Sequence, residues 1–73
     1  MRSMWQILNS VIDGEINTPE QGEALITEEA QEYARVLQIT EEAARAQLLQ
    51  NINHCASLCL QRDAAKLRDV FHG

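Results

Sequence analysis

Apolar positions recur along this chain at steps of three and four, the spacing of one face of an α-helix. Nowhere do they alternate as in a half-buried strand. The first run is Met4, Ile7, Leu8, Val11 and Ile12, with Trp5 at the edge of the stripe. Ser3 precedes it as an N-cap and Gln6 stands three residues on, the spacing of a capping box. Asp13-Gly14 should end this helix, because Gly14 can take the left-handed conformation that closes a helix C-terminus. Thr18-Pro19-Glu20-Gln21 restarts the pattern. Thr18 caps, Pro19 suits the first helical position and Gln21 completes a second box. The stripe Gly22, Ile26, Ala30, Tyr33 and Leu37 then predicts a helix from Pro19 to Leu37, either continuous or broken near Ile26-Thr27. Gln38-Ile39 forms a joint, and Thr40 caps again.

From Glu41 the stripe is long. Leu49, Ile52, Ala56, Leu60, Ala64, Leu67 and Phe71 follow one another at helical steps, widened by Leu48, Cys55, Cys59 and Val70. No Gly or Pro interrupts before Gly73. This predicts one C-terminal helix of about 30 residues, about 45 Å long, with Asn51 and Asn53 marking the place for a bend. The chain therefore reads as all-α: a single helical domain over 1–73, a small bundle of three main helices, the C-terminal one longest. Residues 33–48 carry the outline of a helix-turn-helix crossing, with small Ala34 before the turn and Ala44 and Leu48 turned inward. Gln38 stands where that turn often has Gly. A short repeat, Ile26-Thr27-Glu28-Glu29-Ala30 and Ile39-Thr40-Glu41-Glu42-Ala43, is most simply a reused helix start.

Composition adds a constraint on stability. Nine alanines contribute to the 45% of residues that are apolar, and only Trp5, Tyr33 and Phe71 are aromatic. A core of this kind in so short a chain seldom supplies more than about 3–5 kcal/mol. Self-association is the usual remedy. The sequence predicts a homodimer through Trp5, Leu49, Ile52, Ala56, Leu60, Leu67 and Phe71.

Charge changes the functional picture. Six basic and eleven acidic residues give a formal charge of −5. Nine of the acids fall in residues 13–42, where Arg35 is the single base, whereas residues 43–73 carry a small positive excess. Acids at helix starts complement the helix dipole and explain about half of them. Asp13, Glu15, Glu23 and Glu32 are left over. Together with Glu28 they are the candidate acidic face for a basic protein partner. The same balance disfavours nucleic acid, which selects a basic footprint. Arg45, Gln47, Gln50 and Asn51 could still read bases from the helix after Thr40, although Glu41 and Glu42 at its start would repel phosphate.

Metal and redox chemistry rest on His54, Cys55, Cys59 and His72. Cys55 and Cys59 share a helix face, but His54 points about 100° away from Cys55, and His72 is about 20 Å further on along a continuous helix. The simpler reading makes both cysteines small core residues. No serine elbow, phosphate loop or His-Glu-x-x-His is present, so the sequence predicts neither enzymatic activity, nor a small-molecule substrate, nor a cofactor. No apolar run approaches a membrane span, and the first residues lack a signal peptide's apolar region, which leads to the expectation of a cytoplasmic protein with no membrane partner. The resulting expectation is a non-enzymatic protein–protein interaction or regulatory module. Its alternatives are a dimeric helix-turn-helix DNA-binding regulator and a metal- or redox-sensing helical dimer through Cys55 and Cys59.

Overall fold

Three of the helices begin at the hydroxyl caps read from the sequence. The computed structural model describes residues 2–71, in which α1 spans Met4–Ile12, α2 Pro19–Leu37, α3 Glu41–Ser57 and α4 Gln61–Val70. Ser3 Oγ accepts the Gln6 N–H at 3.2 Å, and Gln6 Oε1 accepts the Ser3 N–H at 2.8 Å. Thr18 and Gln21 repeat this reciprocal box, and Thr40 Oγ1 accepts the Ala43 N–H at 3.0 Å. Each box satisfies helix-end donors that would otherwise lack partners. Gly14 sits at φ +85°, as the joint after α1 requires. α2 runs without a break through Ile26-Thr27.

The bundle has four helices where the sequence reading had three, and the C-terminal helix is not the longest. The expected helix of about 30 residues divides at Leu58–Leu60, downstream of the asparagines at which a bend was expected, and α2 is the longest element. The physical reason is burial. A continuous helix would carry Ala64, Leu67, Val70 and Phe71 away from the rest of the chain. Folded back, all four are buried against α1, α2 and α3. Each Leu, Val or Phe gains about 1.5–3 kcal/mol on burial, more than the roughly 1 kcal/mol of each helical hydrogen bond forgone. Local chemistry helps the break. Ser57 Oγ donates to the His54 carbonyl at 2.6 Å and Cys59 Sγ to the Cys55 carbonyl at 3.3 Å, while Leu58 N–H and Cys59 N–H turn back to Cys55 and Ala56 carbonyls.

α2 and α3 pack on each other most extensively, and α4 lies across α1, α2 and α3. The larger apolar cluster joins Ile7, Leu8 and Val11 of α1 to Ile26 of α2, Ile52 of α3 and Leu67 of α4. Gly22 lets the start of α2 meet the end of α4, since a Cβ there would stand 2.3 Å from the Val70 carbonyl oxygen. A smaller cluster of Ala30, Ala34, Ala44 and Leu48 closes the α2–α3 end, with Tyr33 and Ile39 at its margin. The Cα radius of gyration is 11.5 Å, close to the roughly 11 Å expected for a compact chain of this length.

Candidate functional site

The apolar stripe expected to meet a second chain is largely used inside this one. Ile52, Ala56, Leu67 and Phe71 are buried in the chain's own core and Leu49 is half-buried. Trp5 and Leu60 are exposed, at 67% and 69%. The correction follows from the break at Leu58–Leu60, which turns the stripe back on itself.

The acids do not form one continuous face. Glu23 is paired with Arg45, from α2 to α3. Glu28 lies 3.8 Å from the Arg2 guanidinium, and half-buried Glu32 follows it by one turn of α2. Asp13 and Glu15 stand apart at the C-terminal end of α1. With Arg2, Gln6, Asn9 and Ser10 they border a shallow polar concavity of about 290 Å³ that runs along the length of α1. Asp13 and Glu15 themselves stand at the negative end of the α1 dipole, and no basic residue occupies its last turn. Dipole complementarity explains Glu20, Glu41 and Glu42 at helix starts but opposes Asp13 and Glu15. Neither Asp13 nor Glu15 has an ion-pair partner among the described residues. The Asn9, Ser10 and Val11 carbonyls at this end already accept the Asp13, Ile16 and Gly14 N–H groups, so the two carboxylates are the acceptors suited to an ammonium or guanidinium group.

Sequence reasoning passed over the most deeply placed charge. Glu29 is 2% exposed, and its carboxylate accepts the Arg2 backbone N–H at 3.2 Å and the guanidinium at 2.8 Å. This pair pins the chain entering α1 to the middle of α2. The signal was present: position 29 falls between Ile26 and Ala30 on the inward face of α2. A cleft of about 230 Å³ opens beside it, floored by Met4, Ile7, Tyr33 and Leu48.

Of the residues proposed to read DNA, Gln47, Gln50 and Asn51 are exposed on α3. Arg45, the one arginine or lysine of that helix, is half-buried and held by Glu23. Cys55 and Cys59 are half-buried free thiols packed against the larger apolar cluster. His54 is exposed, and His72 lies outside the described residues. Among the described residues, no group of three or more His, Cys, Asp or Glu side chains is gathered to hold a metal ion. No helix among them is long and apolar enough to cross a membrane. Comparison with known protein families, characterised proteins and solved structures returns no match.

Proposed function

We propose that this chain is a non-enzymatic, cytoplasmic interaction module that docks a basic protein partner through the exposed carboxylates of Asp13 and Glu15 at the end of α1. The observation that carries this reading is the placement of those two carboxylates. They are exposed, lack a cationic partner among the described residues, and lie at the helix end where negative charge is least favoured. Such an arrangement costs the folded chain a little and gives a partner's Lys or Arg a site of matching sign. Glu20, exposed in the first turn of α2, extends the same field. Like-signed surface of this kind speeds encounter and selects partner charge more than it sets affinity. Contacts from the exposed apolar side chains, Trp5 foremost, would then hold the complex.

The test is affinity capture from a cell extract on the immobilised chain, run beside the double substitution Asp13→Lys, Glu15→Lys. The expected result is a basic protein retained at low salt by the parent chain and lost from the variant, with both chains equally helical by circular dichroism. The same proteins held by both chains would remove the acidic side from the account.

A further inference from the structure

Arg2 is exposed, yet it is held in place. Glu29 accepts its backbone N–H at 3.2 Å and its guanidinium at 2.8 Å, and Glu28 stands 3.8 Å away. So fixed, Arg2 is the residue common to two hollows. One is the polar concavity that runs along α1 to Asp13 and Glu15. The other is the cleft of about 230 Å³ between α1, α2 and α3. The floor of that cleft is apolar, with Ile7 and Leu48 buried and Met4 and Tyr33 half-buried. Its rim is formed by Arg2, Ser3 and Asn51, all exposed.

From this juxtaposition we propose that the cleft receives one apolar side chain of the basic partner, on the same segment whose Lys or Arg lies against Asp13 and Glu15. The inference rests on the reading of those two acids given above and supplies the partner's second anchor. Size fits the occupant. A cavity of about 150 Å³ holds a benzene ring, so about 230 Å³ takes one large apolar side chain. It falls short of the roughly 300–1,000 Å³ of sites that enclose a free small molecule. Charge fits as well. Arg2 brings one positive charge to the rim against the two carboxylates of Glu28 and Glu29, so the surroundings favour an apolar group carried beside cations over one carried beside anions. The Tyr33 hydroxyl and the Asn51 amide add neutral hydrogen-bonding groups for the backbone of the docked segment.

The separation of the two anchors specifies that segment. Asp13 lies nine positions after Met4, a rise of about 13–14 Å along α1. An extended chain covers about 3.3 Å per residue, so about four residues bridge the distance. The partner therefore carries a Lys or Arg and a large apolar residue about four positions apart in extended conformation. Because Glu29 already fixes Arg2, the junction of the two hollows needs little ordering on binding.

Magnetic resonance titration of the labelled chain with synthetic peptides tests this. The probe is an acetylated, amidated peptide with two lysines and, four positions on, a phenylalanine, the remainder serine, made in both chain orders. One order should shift Asp13 and Glu15 together with Tyr33 and Leu48. Replacing the phenylalanine by alanine should weaken binding about tenfold and remove the shifts at Tyr33 and Leu48 alone. Asn51→Phe should act likewise, because an aromatic side chain at that exposed rim position covers the cleft, with helix content unchanged by circular dichroism. The shifts at Asp13 and Glu15 should survive both changes, and Asp13→Lys, Glu15→Lys should abolish binding through the lysines. Binding lost in that double variant but untouched by Asn51→Phe and by the alanine peptide would leave the acids standing and overturn the cleft. Phenylalanine-dependent binding indifferent to the double variant would overturn the acidic reading and, with it, the joined site. Shifts at Tyr33 and Leu48 that grow with chain concentration in the absence of peptide would assign the cleft to a second copy and overturn the proposal, as would no shift at millimolar peptide.

Discussion

Gln38 takes a backbone conformation that favours glycine, and the turn between α2 and α3 depends on it. At φ 57° and ψ 45° it is left-handed, and Ile39 N–H reaches back to the Ala34 carbonyl at 3.1 Å, closing α2 in a Schellman turn. A non-glycine residue there bears about 1–2 kcal/mol, of which glycine would return part to the unfolded chain as entropy. Gln38→Gly should therefore stabilise the chain by about 0.5–1 kcal/mol in urea unfolding, and Gln38→Val should destabilise it. The pairing of exposed Arg2 with buried Glu29 gives a second outcome at this scale. Arg2→Ala leaves a carboxylate inside the protein with only the backbone N–H of residue 2, and should cost about 2 kcal/mol. Arg2→Met combined with Glu29→Leu should cost clearly less, because an apolar pair of similar size needs no desolvated charge. Equal losses in both variants would show that the pair contributes packing and not charge satisfaction. Sequence carried these residues unevenly. The joint at Gln38-Ile39 was legible, but Gln38 read only as a departure from the glycine common in such a turn, and its left-handed backbone was not anticipated. Gly22 read only as a weak helix former, since its closeness to Val70 arises from a contact 48 positions away along the chain. Glu29 was hidden among eight other acids between residues 13 and 42.

At the level of the elements, α1, α2 and the start of α3 follow from signals local to each. Capping hydroxyls, Pro19 and Gly14 act within a few residues, so the sequence displays them directly. The division of α3 from α4 depends on a non-local balance instead. Helical spacing persists through Leu60, no Gly or Pro marks the turn, and the gain comes from Leu67, Val70 and Phe71 reaching α1 and α2. The local hints were Ser57 and Cys59, whose side chains take up carbonyls at the end of α3. The cost shows in α4, which starts at Leu60 with no side-chain hydrogen bond to its cap. Leu60→Ser should supply that bond and raise stability by about 1 kcal/mol, since Leu60 is 69% exposed and gives up little burial. Chemical unfolding at a concentration where the chain is monomeric would check it. A loss of stability would mean that Leu60 packs more closely on the corner than its exposure indicates.

For the whole molecule, charge sorts the surface. Arg2 and Arg45 are bound to acids of α2, Asp13 and Glu15 lack an ion-pair partner among the described residues, and residues 46–61 carry no formal charge. Screening should weaken the attraction between the acids and a basic partner. Little of this division was legible beforehand. Charge segregation along the sequence was plain, but which acids were already paired depended on how α2 meets α3 and the chain entering α1. The most direct measurement is the affinity of the captured basic partner for the parent chain across a salt series, by calorimetry at constant pH. The account expects affinity to fall about tenfold or more between roughly 50 and 300 mM salt, and the fall to flatten in Asp13→Lys, Glu15→Lys. An affinity that is indifferent to salt, or that the double substitution leaves unchanged, would contradict it.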